Sequence, residues 1–176
     1  MSVESKSRGK ETRTLAREVS NENSAASPVV QALRQQVANA FVLYCNYKHY
    51  HWQTYGPLFR DLHKLFDRFA GEVLESLDPL AERVRMIGQD PPGNPIQAVD
   101  LASIQVAAPH STMREMVEEA QRHALLVIKE MREGAKTAEE HNDPGSVDMF
   151  SKLVQVHEKQ EWWLRDLLRQ NDGLLT

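Results

Sequence analysis

Four long segments with helical periodicity predict an all-α protein built as a four-helix bundle. Apolar residues recur at three- and four-residue steps through most of the chain. Clusters of proline, glycine, asparagine and aspartate separate these stretches. One connection, between the second and third helices, is too long to join adjacent antiparallel helices directly. Together these observations predict a bundle whose second and third helices are joined by a crossover.

The composition is that of a single folded domain. The chain has 176 residues, of which 41% are hydrophobic and 26% charged. A net charge of -4 argues against a surface that is basic all round. No apolar run is long enough to span a bilayer, and residues 1–27 lack the apolar core of a signal peptide, so we expect a cytoplasmic protein. The single cysteine, Cys45, excludes an internal disulfide framework and is expected to be buried in a helix.

The first 27 residues are expected to form a mobile tail, because they are rich in serine and charge and contain few large apolar groups. Its candidate DNA contacts are Lys6, Arg8, Lys10, Arg13 and Arg17. Its glutamates are Glu4, Glu11, Glu18 and Glu22. Five basic groups offset by four acidic ones predict a weak, salt-sensitive attraction to phosphate. The tail therefore weighs against DNA binding while leaving the possibility open.

The bundle is expected to occupy residues 28–171. Ser27 followed by Pro28 is typical of a capped helix with proline in its first turn, and this first helix should run to about Thr54. A second helix should follow Gly56-Pro57 and end at Gly88. Pro79 lies inside it and cannot donate a main-chain hydrogen bond, which predicts a local kink or bulge.

The crossover is expected to run from Gln89 to Pro109, with a short helix over about residues 96–103. Thr112 and Glu115 form a capping-box pattern at the start of the third helix. That helix should end near His141, and a turn is expected over residues 142–145. The fourth helix should end near Asn171, leaving residues 172–176 as a C-terminal tail.

Five potential metal ligands lie close together in the sequence: His51, His63, Asp67, Asp78 and Glu82. The last four form two pairs with helical i,i+4 spacing, separated by an eleven-residue step. At about 1.5 Å per residue, this step places the pairs roughly 16 Å apart along one helix. One helix therefore cannot wrap both pairs around a small ion. An antiparallel second copy across a two-fold axis would bring the two pairs together.

The centre of such a crossing falls beside Ala70 and Gly71, whose small side chains would let two backbones approach closely. By itself Gly71 is more simply explained as a tolerated weak point in the helix. Asp78-Pro79 also resembles a helix cap followed by a first-turn proline, so Asp78 could restart a helix. Taken alone, His63–Asp67 could be an ordinary pair on a solvated helix face.

Helical geometry separates the candidate histidines. His51 continues the inward stripe of the first helix, whereas His49 lies 200° away and should face outward. His157, paired by spacing with Glu161, is expected to face the core and be hydrogen-bonded. Glu119 and His123 are expected to form an ordinary pair on a helix face. No histidine has a glutamate three residues before it, so the intrasubunit di-iron pattern Glu-x-x-His is absent.

The ligand chemistry favours iron. Imidazole and carboxylate together suit iron, zinc or manganese, and an open, oxygen-rich site with one histidine per metal suits ferrous iron and its oxidised product. A closed structural zinc site would call for cysteines. A bridging carboxylate would let two irons share charge and pass two electrons to an oxidant, and Glu82 is the natural bridge.

Residues 51–83 resemble the signature of the Dps family of mini-ferritins, the DNA-binding proteins from starved cells. The matching positions are His51, Trp52, Gly56, His63, Asp67, Asp78 and Glu82. The resemblance extends over residues 28–170 and implies a ferritin-like bundle. It implies that His51 binds one iron with Asp78 and Glu82 of a two-fold partner. His63 and Asp67 would then hold a second iron, with Glu82 bridging and Trp52 behind the ligands.

The resemblance further implies a hollow dodecameric shell, built from dimers, that oxidises Fe(II), preferably with hydrogen peroxide, and stores ferric mineral. Zinc is expected only as a competitor at the di-iron site. Asp143 and Asp148, with Glu139 and Glu140 as lesser candidates, resemble carboxylates that line the family's three-fold pores. Acidic residues near a turn and a helix N-terminus explain the same pattern nearly as well. The alternative function is a DNA-binding, nucleoid-protecting oligomer whose metal site is secondary or holds zinc.

Overall fold

The computed structural model describes residues 10–14, 27–109 and 112–169. Most of the predicted N-terminal tail, including Lys6, Arg8 and Arg17, lies outside the described residues, as do residues 172–176. The described part contains helices and their connections but no strand. None of its helices is long and apolar enough to cross a membrane.

Four long helices and one short helix form the fold, and the all-α prediction is confirmed. They are α1 (Pro28–Gln53), α2 (Phe59–Met86), α3 (Pro95–Leu101), α4 (Met113–Glu140) and α5 (Pro144–Leu168). A short helical segment at residues 10–14 precedes them. The predicted crossover contains α3, as expected.

Local sequence signals set most of the helix ends. Pro28 opens α1, and Gly88 follows α2 with a φ of +84°, in the left-handed region that glycine tolerates. Thr112 and Glu115 form the expected capping box of α4. The predicted turn over residues 142–145 is partly wrong, because Pro144 already occupies the first turn of α5 and Asp143 is its cap.

Helix α2 continues through Pro79 without interruption. Asp78 therefore lies inside a helix, and the alternative in which it begins a new one is wrong. Its carboxylate is exposed instead of being used for capping. Both α2 pairs thus project from one uninterrupted helix, as the spacing argument requires.

The helices pack as two hairpins, α1 with α2 and α4 with α5, around an aromatic and aliphatic core. Its largest fully buried aromatic side chains are Tyr47, Tyr50, Phe66, Phe69 and Phe150. Gly134 lets α4 and α5 approach, since a Cβ there would lie 2.8 Å from the Phe150 ring. Such a close approach explains a glycine within an otherwise regular helix.

Side-chain hydrogen bonds fix the crossover to the bundle. Asn39 Oδ1 accepts from the Ser103 main-chain nitrogen at 2.9 Å. Asn46 donates to the Gln105 carbonyl and accepts from the Ala107 nitrogen, both at 2.8 Å. Because buried asparagine amides satisfy main-chain groups here, the crossover is attached to α1 at both of these points.

Two burial predictions are wrong. Cys45 lies on the exposed side of α1 in the single chain, not in the core. Ala70 is 1% exposed and packs into the core, so only Gly71 of the two small residues faces outward. A Cβ on Gly71 would meet no atom within 4 Å, which leaves an open surface at the predicted crossing point.

Candidate metal centre

His51 and His63 come together where α1 ends and α2 begins. Their ring centroids are 3.7 Å apart and the ring planes differ by 23°. Phe59 stacks on the other side of His63 at 5.1 Å. The chain reverses between the two histidines through Gly56, whose φ is +82°. The local fold therefore brings together two candidate ligands that are twelve residues apart in the sequence.

Reciprocal hydrogen bonds orient the two imidazoles. His51 Nδ1 donates to the His63 carbonyl at 2.7 Å, and His63 Nδ1 donates to the His51 carbonyl at 2.9 Å. A carbonyl only accepts, so each Nδ1 carries the proton. In the neutral rings, each Nε2 keeps its lone pair for a metal. Main-chain bonds of this kind orient metal-binding histidines in proteins.

Asp67 lies one turn beyond His63 and is held by a lysine. Lys48 Nζ donates to Asp67 Oδ1 at 2.7 Å, and the same amine lies 5.7 Å from the centre of the Trp52 ring. The hydrogen bond from Lys48 and its charge lower the pKa of the Asp67 carboxyl, and His51 and His63 add to this effect. Asp67 is therefore an ionised candidate ligand, and a metal that used it would have to compete with Lys48.

Asp78 and Glu82 differ from Asp67 in their contacts. Both are exposed, and within the described residues neither side chain has a hydrogen bond or an ion pair. In the same part of the chain, no group of three or more His, Cys, Asp or Glu residues could hold a metal ion. The single chain brings His51 and His63 together beside Asp67, but it does not bring Asp78 and Glu82 to them.

The surface beside the candidate ligands is apolar. Trp52 is 68% exposed, and Tyr55, Phe59 and Leu74 are each about half exposed. A shallow groove next to Asp78 is lined by side chains that include Phe41, Leu74 and Leu77. Such groups on one face of a soluble protein are typical of a protein interface.

His157 lies away from this surface, in the core of the bundle. His157 faces the core as predicted and is 1% exposed. The predicted hydrogen bonding is incomplete, because its Nδ1 has no partner among the described residues. Burial lowers the pKa of His157 to about 4, against the opposing influence of Gln160 and Glu72. His157 is therefore neutral at pH 7 and is part of the packed core.

Glu119 and His123 are not the predicted pair on a helix face, since each is only 8% exposed. Tyr50 donates its hydroxyl to Glu119 at 2.7 Å, and Asn46 Nδ2 lies 3.4 Å from His123 Nδ1. His49 was expected to face outward, but it is half-buried, with its ring 6.1 Å from that of Tyr50. The apolar residues at helical spacing did not reveal these polar contacts inside the bundle.

The two acidic residues predicted to line a pore near the α4–α5 connection differ in their contacts. Asp143 caps α5 by accepting from Ser146 N at 3.0 Å and Ser146 Oγ at 2.7 Å, and it forms a salt bridge with Arg83. Burial acts to raise the pKa of Asp143, but the bonds from Ser146 and Arg83 outweigh it and lower the pKa. Asp148 is exposed, and it lines a shallow cleft at this connection together with Asp143.

Of the basic tail residues, only Lys10 and Arg13 are described, and both are exposed.

Comparison with protein families places the chain among known folds. Residues 30–173 match the Ferritin-like domain model of the Ferritin family. DNA protection during starvation protein 1 of Deinococcus radiodurans is 31% identical over 143 residues, covering 80% of this chain and 68% of that protein. DNA protection during starvation protein 2 of Bacillus anthracis is also 31% identical, covering 81% of this chain and 97% of that protein.

Solved structures agree with these relatives. Dps from Thermosynechococcus elongatus superposes with a TM-score of 0.84 at 40% identity, covering 89% of this chain and 99% of the other. Dps from Staphylococcus aureus gives 0.80 at 29% identity, covering 83% and 98%. The likeness spans nearly the whole of these solved chains, so it concerns the complete bundle.

Proposed function

The chain belongs to the Dps family of ferritin-like proteins, and from this premise we propose that it oxidises Fe(II) at sites shared between subunits and stores the ferric product. The observation that carries the proposal is the state of the five candidate ligands. His51 and His63 are already oriented and Asp67 is ionised beside them, whereas Asp78 and Glu82 are exposed and have no polar partner within the described residues. The two histidines with Asp67 form one half of a site, and Asp78 with Glu82 forms the other. A two-fold axis would bring the first half of one subunit opposite the second half of its partner.

In the proposed dimer, two α2 helices cross antiparallel near Gly71. The open space around Gly71 and the exposed apolar groups beside the ligands support this arrangement. His51 would bind one iron together with Asp78 and Glu82 of the partner subunit. His63 and Asp67 would hold the second, with Glu82 of the partner subunit as the bridge and Trp52 behind the ligands.

Iron is the substrate that this ligand set suits best. Neutral imidazole and carboxylate oxygens bind Fe(II) and tolerate Fe(III), and zinc would compete for the same ligands. Two Fe(II) ions supply the two electrons that reduce one hydrogen peroxide to two waters, with two protons taken up. Because both electrons are delivered together, no hydroxyl radical is released. We therefore propose peroxide as the preferred oxidant and protection from oxidative stress as the benefit.

Storage requires an enclosed space, which we propose is a dodecameric shell built from these dimers. Fe(II) would enter through pores near the α4–α5 connection, where Asp148 is exposed beside a cleft. Asp143 is a weaker candidate for attracting cations, because its carboxylate already pairs with Arg83 and caps α5. Converging carboxylates at a symmetry axis would raise the local concentration of cations.

The test is anaerobic Fe(II) loading followed by addition of peroxide or oxygen, with ferric absorbance recorded over time. His51→Ala and Glu82→Ala should each slow oxidation at least about tenfold, which corresponds to losing about 1.4 kcal/mol of transition-state stabilisation. Glu75→Ala is the matched control, since Glu75 is exposed on the same helix but outside the proposed ligand set. Equal rates in all variants would rule out the proposed site, and a faster reaction with oxygen would reverse the oxidant preference.

DNA binding is the second candidate function, and the names of the relatives from Deinococcus radiodurans and Bacillus anthracis favour it. Lys10 and Arg13 are exposed and could contact phosphate. Gel shifts at 50 and 200 mM salt, with the full chain and with a chain lacking residues 1–27, would test this function. A shift that depends on the tail and is lost at high salt would support it.

A further inference from the structure

Arg83 directly follows the proposed bridging ligand Glu82, but its side chain makes its contacts elsewhere. The side chain is only 19% exposed and reaches the connection between α4 and α5. There Nε donates to the Ser146 hydroxyl at 3.0 Å, and Nη2 forms an ion pair with Asp143. Consecutive residues of a helix point about 100° apart. One turn of α2 therefore carries an exposed carboxylate and, beside it, an attachment to the other half of the bundle.

The α4–α5 connection is shaped around this guanidinium. A Cβ on Gly145 would lie 2.8 Å from the guanidinium carbon of Arg83, so a larger residue there would displace the arginine. Gly145 lies in the first turn of α5 and has no positive φ, so its backbone does not require glycine. Ser146 is fully buried, and its hydroxyl accepts from Arg83 and donates to Asp143 at 2.7 Å. The space and the polar groups of the connection therefore both fit Arg83.

This attachment lies one turn beyond a weak point in α2. Pro79 stands between Asp78 and Glu82 and has no main-chain N–H. The carbonyl of Glu75 therefore lacks its usual helical donor, and the last two turns of α2 are joined to the rest of the helix by one fewer hydrogen bond. Arg83 is four residues beyond Pro79 and on the same side of the helix. Its bonds to the connection restrain the turns that the proline leaves less firmly held.

We propose that Arg83 is a positioning residue of the iron site, which holds Glu82 in place for the partner subunit. The inference rests on the proposed function, in which Glu82 bridges the two irons. A metal ligand works only when neighbouring groups hold it close to its productive geometry. Arg83 supplies this restraint through the helix that it anchors, and its role is distinct from that of the ligands themselves.

Arg83→Gln tests the proposal, because it removes the ion pair with Asp143 while keeping a long polar side chain. It should slow iron oxidation about tenfold, since misplacing a group by about 1 Å can lower a rate by up to about 100-fold. Arg85→Gln is the matched control, because Arg85 is 61% exposed on the same helix and pairs with Asp90 in the crossover. It should keep the wild-type rate. Equal slowing in the two variants would contradict the proposal.

Urea unfolding first checks that each variant is folded under the assay conditions. If Arg83→Gln does not fold, Arg83→Lys takes its place, since lysine keeps the charge beside Asp143 without the bond from Nε to Ser146. The lysine variant should also slow oxidation, by less than the glutamine variant. A wild-type rate in Arg83→Lys would show that charge alone is needed and would overturn a role in positioning.

Reassembly with the two ligand variants assigns the effect of Arg83 to one half of the site. Arg83→Gln and His51→Ala subunits, unfolded together and reassembled, should recover about a quarter of the wild-type rate, because one site of each mixed dimer is intact. With Glu82→Ala subunits there should be no recovery beyond the parent preparations, because each site of a mixed dimer then contains an altered Glu82 half.

Equal recovery with both ligand variants would mean that Arg83 serves general stability, which overturns the proposal. A mixture of His51→Ala with Glu82→Ala is the reference for the shared site itself. Recovery in that reference without the expected difference for Arg83→Gln would remove only the role of Arg83. No recovery in the reference would overturn the proposed function and this inference together.

Discussion

Four pairs of potential metal ligands in this chain share the same i,i+4 spacing, yet the structure puts them in two different situations. His63–Asp67 and Asp78–Glu82 project from α2 at the surface. Glu119–His123 and His157–Glu161 are buried in the α4–α5 half of the bundle. Spacing fixes which residues share a helix face, whereas the neighbouring helices decide whether that face is available to a ligand.

The buried and the exposed pairs also differ in whether their carboxylates already have polar partners. The two buried carboxylates have polar partners within the chain: Glu119 accepts from Tyr50, and Glu161 pairs with Arg165 at 2.8 Å and accepts from Gln121 at 3.1 Å. On α2, Asp78 and Glu82 have no hydrogen-bonding or ionic partner within the described residues. Groups that are satisfied internally contribute to stability, whereas exposed groups without partners are available for a second subunit and a metal.

The largest expected effect is complementation between two inactive variants. His51→Ala and Glu82→Ala subunits, mixed equally, unfolded and reassembled, should form mixed dimers in which one of the two shared sites keeps all its ligands. Random pairing makes half of the dimers mixed, so iron oxidation should return to about a quarter of the wild-type rate. The assay is ferric absorbance after peroxide addition. No recovery beyond the sum of the parent preparations would show that each site lies within one subunit.

The next effect concerns the buried histidine. Because burial lowers the pKa of His157 to about 4 from an ordinary 6.5, the unfolded chain binds a proton between these values that the folded chain does not. Folding stability should therefore fall as the pH drops from 6.5 to 4, by roughly 3 kcal/mol in total. Urea unfolding of wild type and His157→Gln at several pH values measures this. Parallel stability curves for the two proteins would contradict the assignment.

A smaller pair of effects should separate stability from activity. Glu119→Ala removes the carboxylate that accepts the hydrogen bond of the buried Tyr50 hydroxyl and should lower the free energy of unfolding by about 1–3 kcal/mol. Asp78→Ala, at an exposed position, should change it by less than about 0.5 kcal/mol while slowing iron oxidation. Chemical unfolding and the peroxide assay on both variants check this. A large loss of stability in Asp78→Ala, with none in Glu119→Ala, would contradict the assignment of Glu119 to stability and Asp78 to activity.

The smallest effect concerns the lysine that holds Asp67. Lys48→Met removes the competitor for this carboxylate, so a divalent metal should bind more tightly. Because Asp67 is 57% exposed, the ion pair is worth only about 0.2–1 kcal/mol, equivalent to at most about a fivefold change in affinity. Calorimetric titration with Zn(II) measures it. Lys64→Met, which removes the same charge from an exposed neighbouring position, should have a smaller effect. Equal affinities in the two variants would remove the role of Lys48.

The sequence predicted the helices well because their ends depend on local chemistry. Pro28, Gly88 and the Thr112 capping box act through their own backbone geometry and are visible without tertiary information. The turn before α5 was misjudged because proline is common both in turns and in the first turn of a helix. In this case Asp143 caps the helix, which places Pro144 inside it.

The site was predictable only in part. Residue type and spacing can be read from the sequence, whereas burial depends on how the helices pack against each other. The sequence predicted His51 and His63 as ligands, but it contained no sign of the hydrogen bonds that each makes to the other's carbonyl. Lys48 was missed entirely, since its contact with Asp67 depends on how α1 packs against α2. Cys45, Ala70 and Glu119 were placed on the wrong side of their helices for the same reason.

The paired bonds between His51 and His63 also constrain how this protein can change during evolution. Each bond spans the connection of residues 54–58, so both ring orientations depend on the number of residues in that connection. Adding or removing one residue would change the span of this connection by up to about 3.5 Å, which is enough to move the two rings out of reach of each other's carbonyls. The connection can therefore vary in composition much more freely than in length, and its length should stay fixed wherever the chemistry is kept.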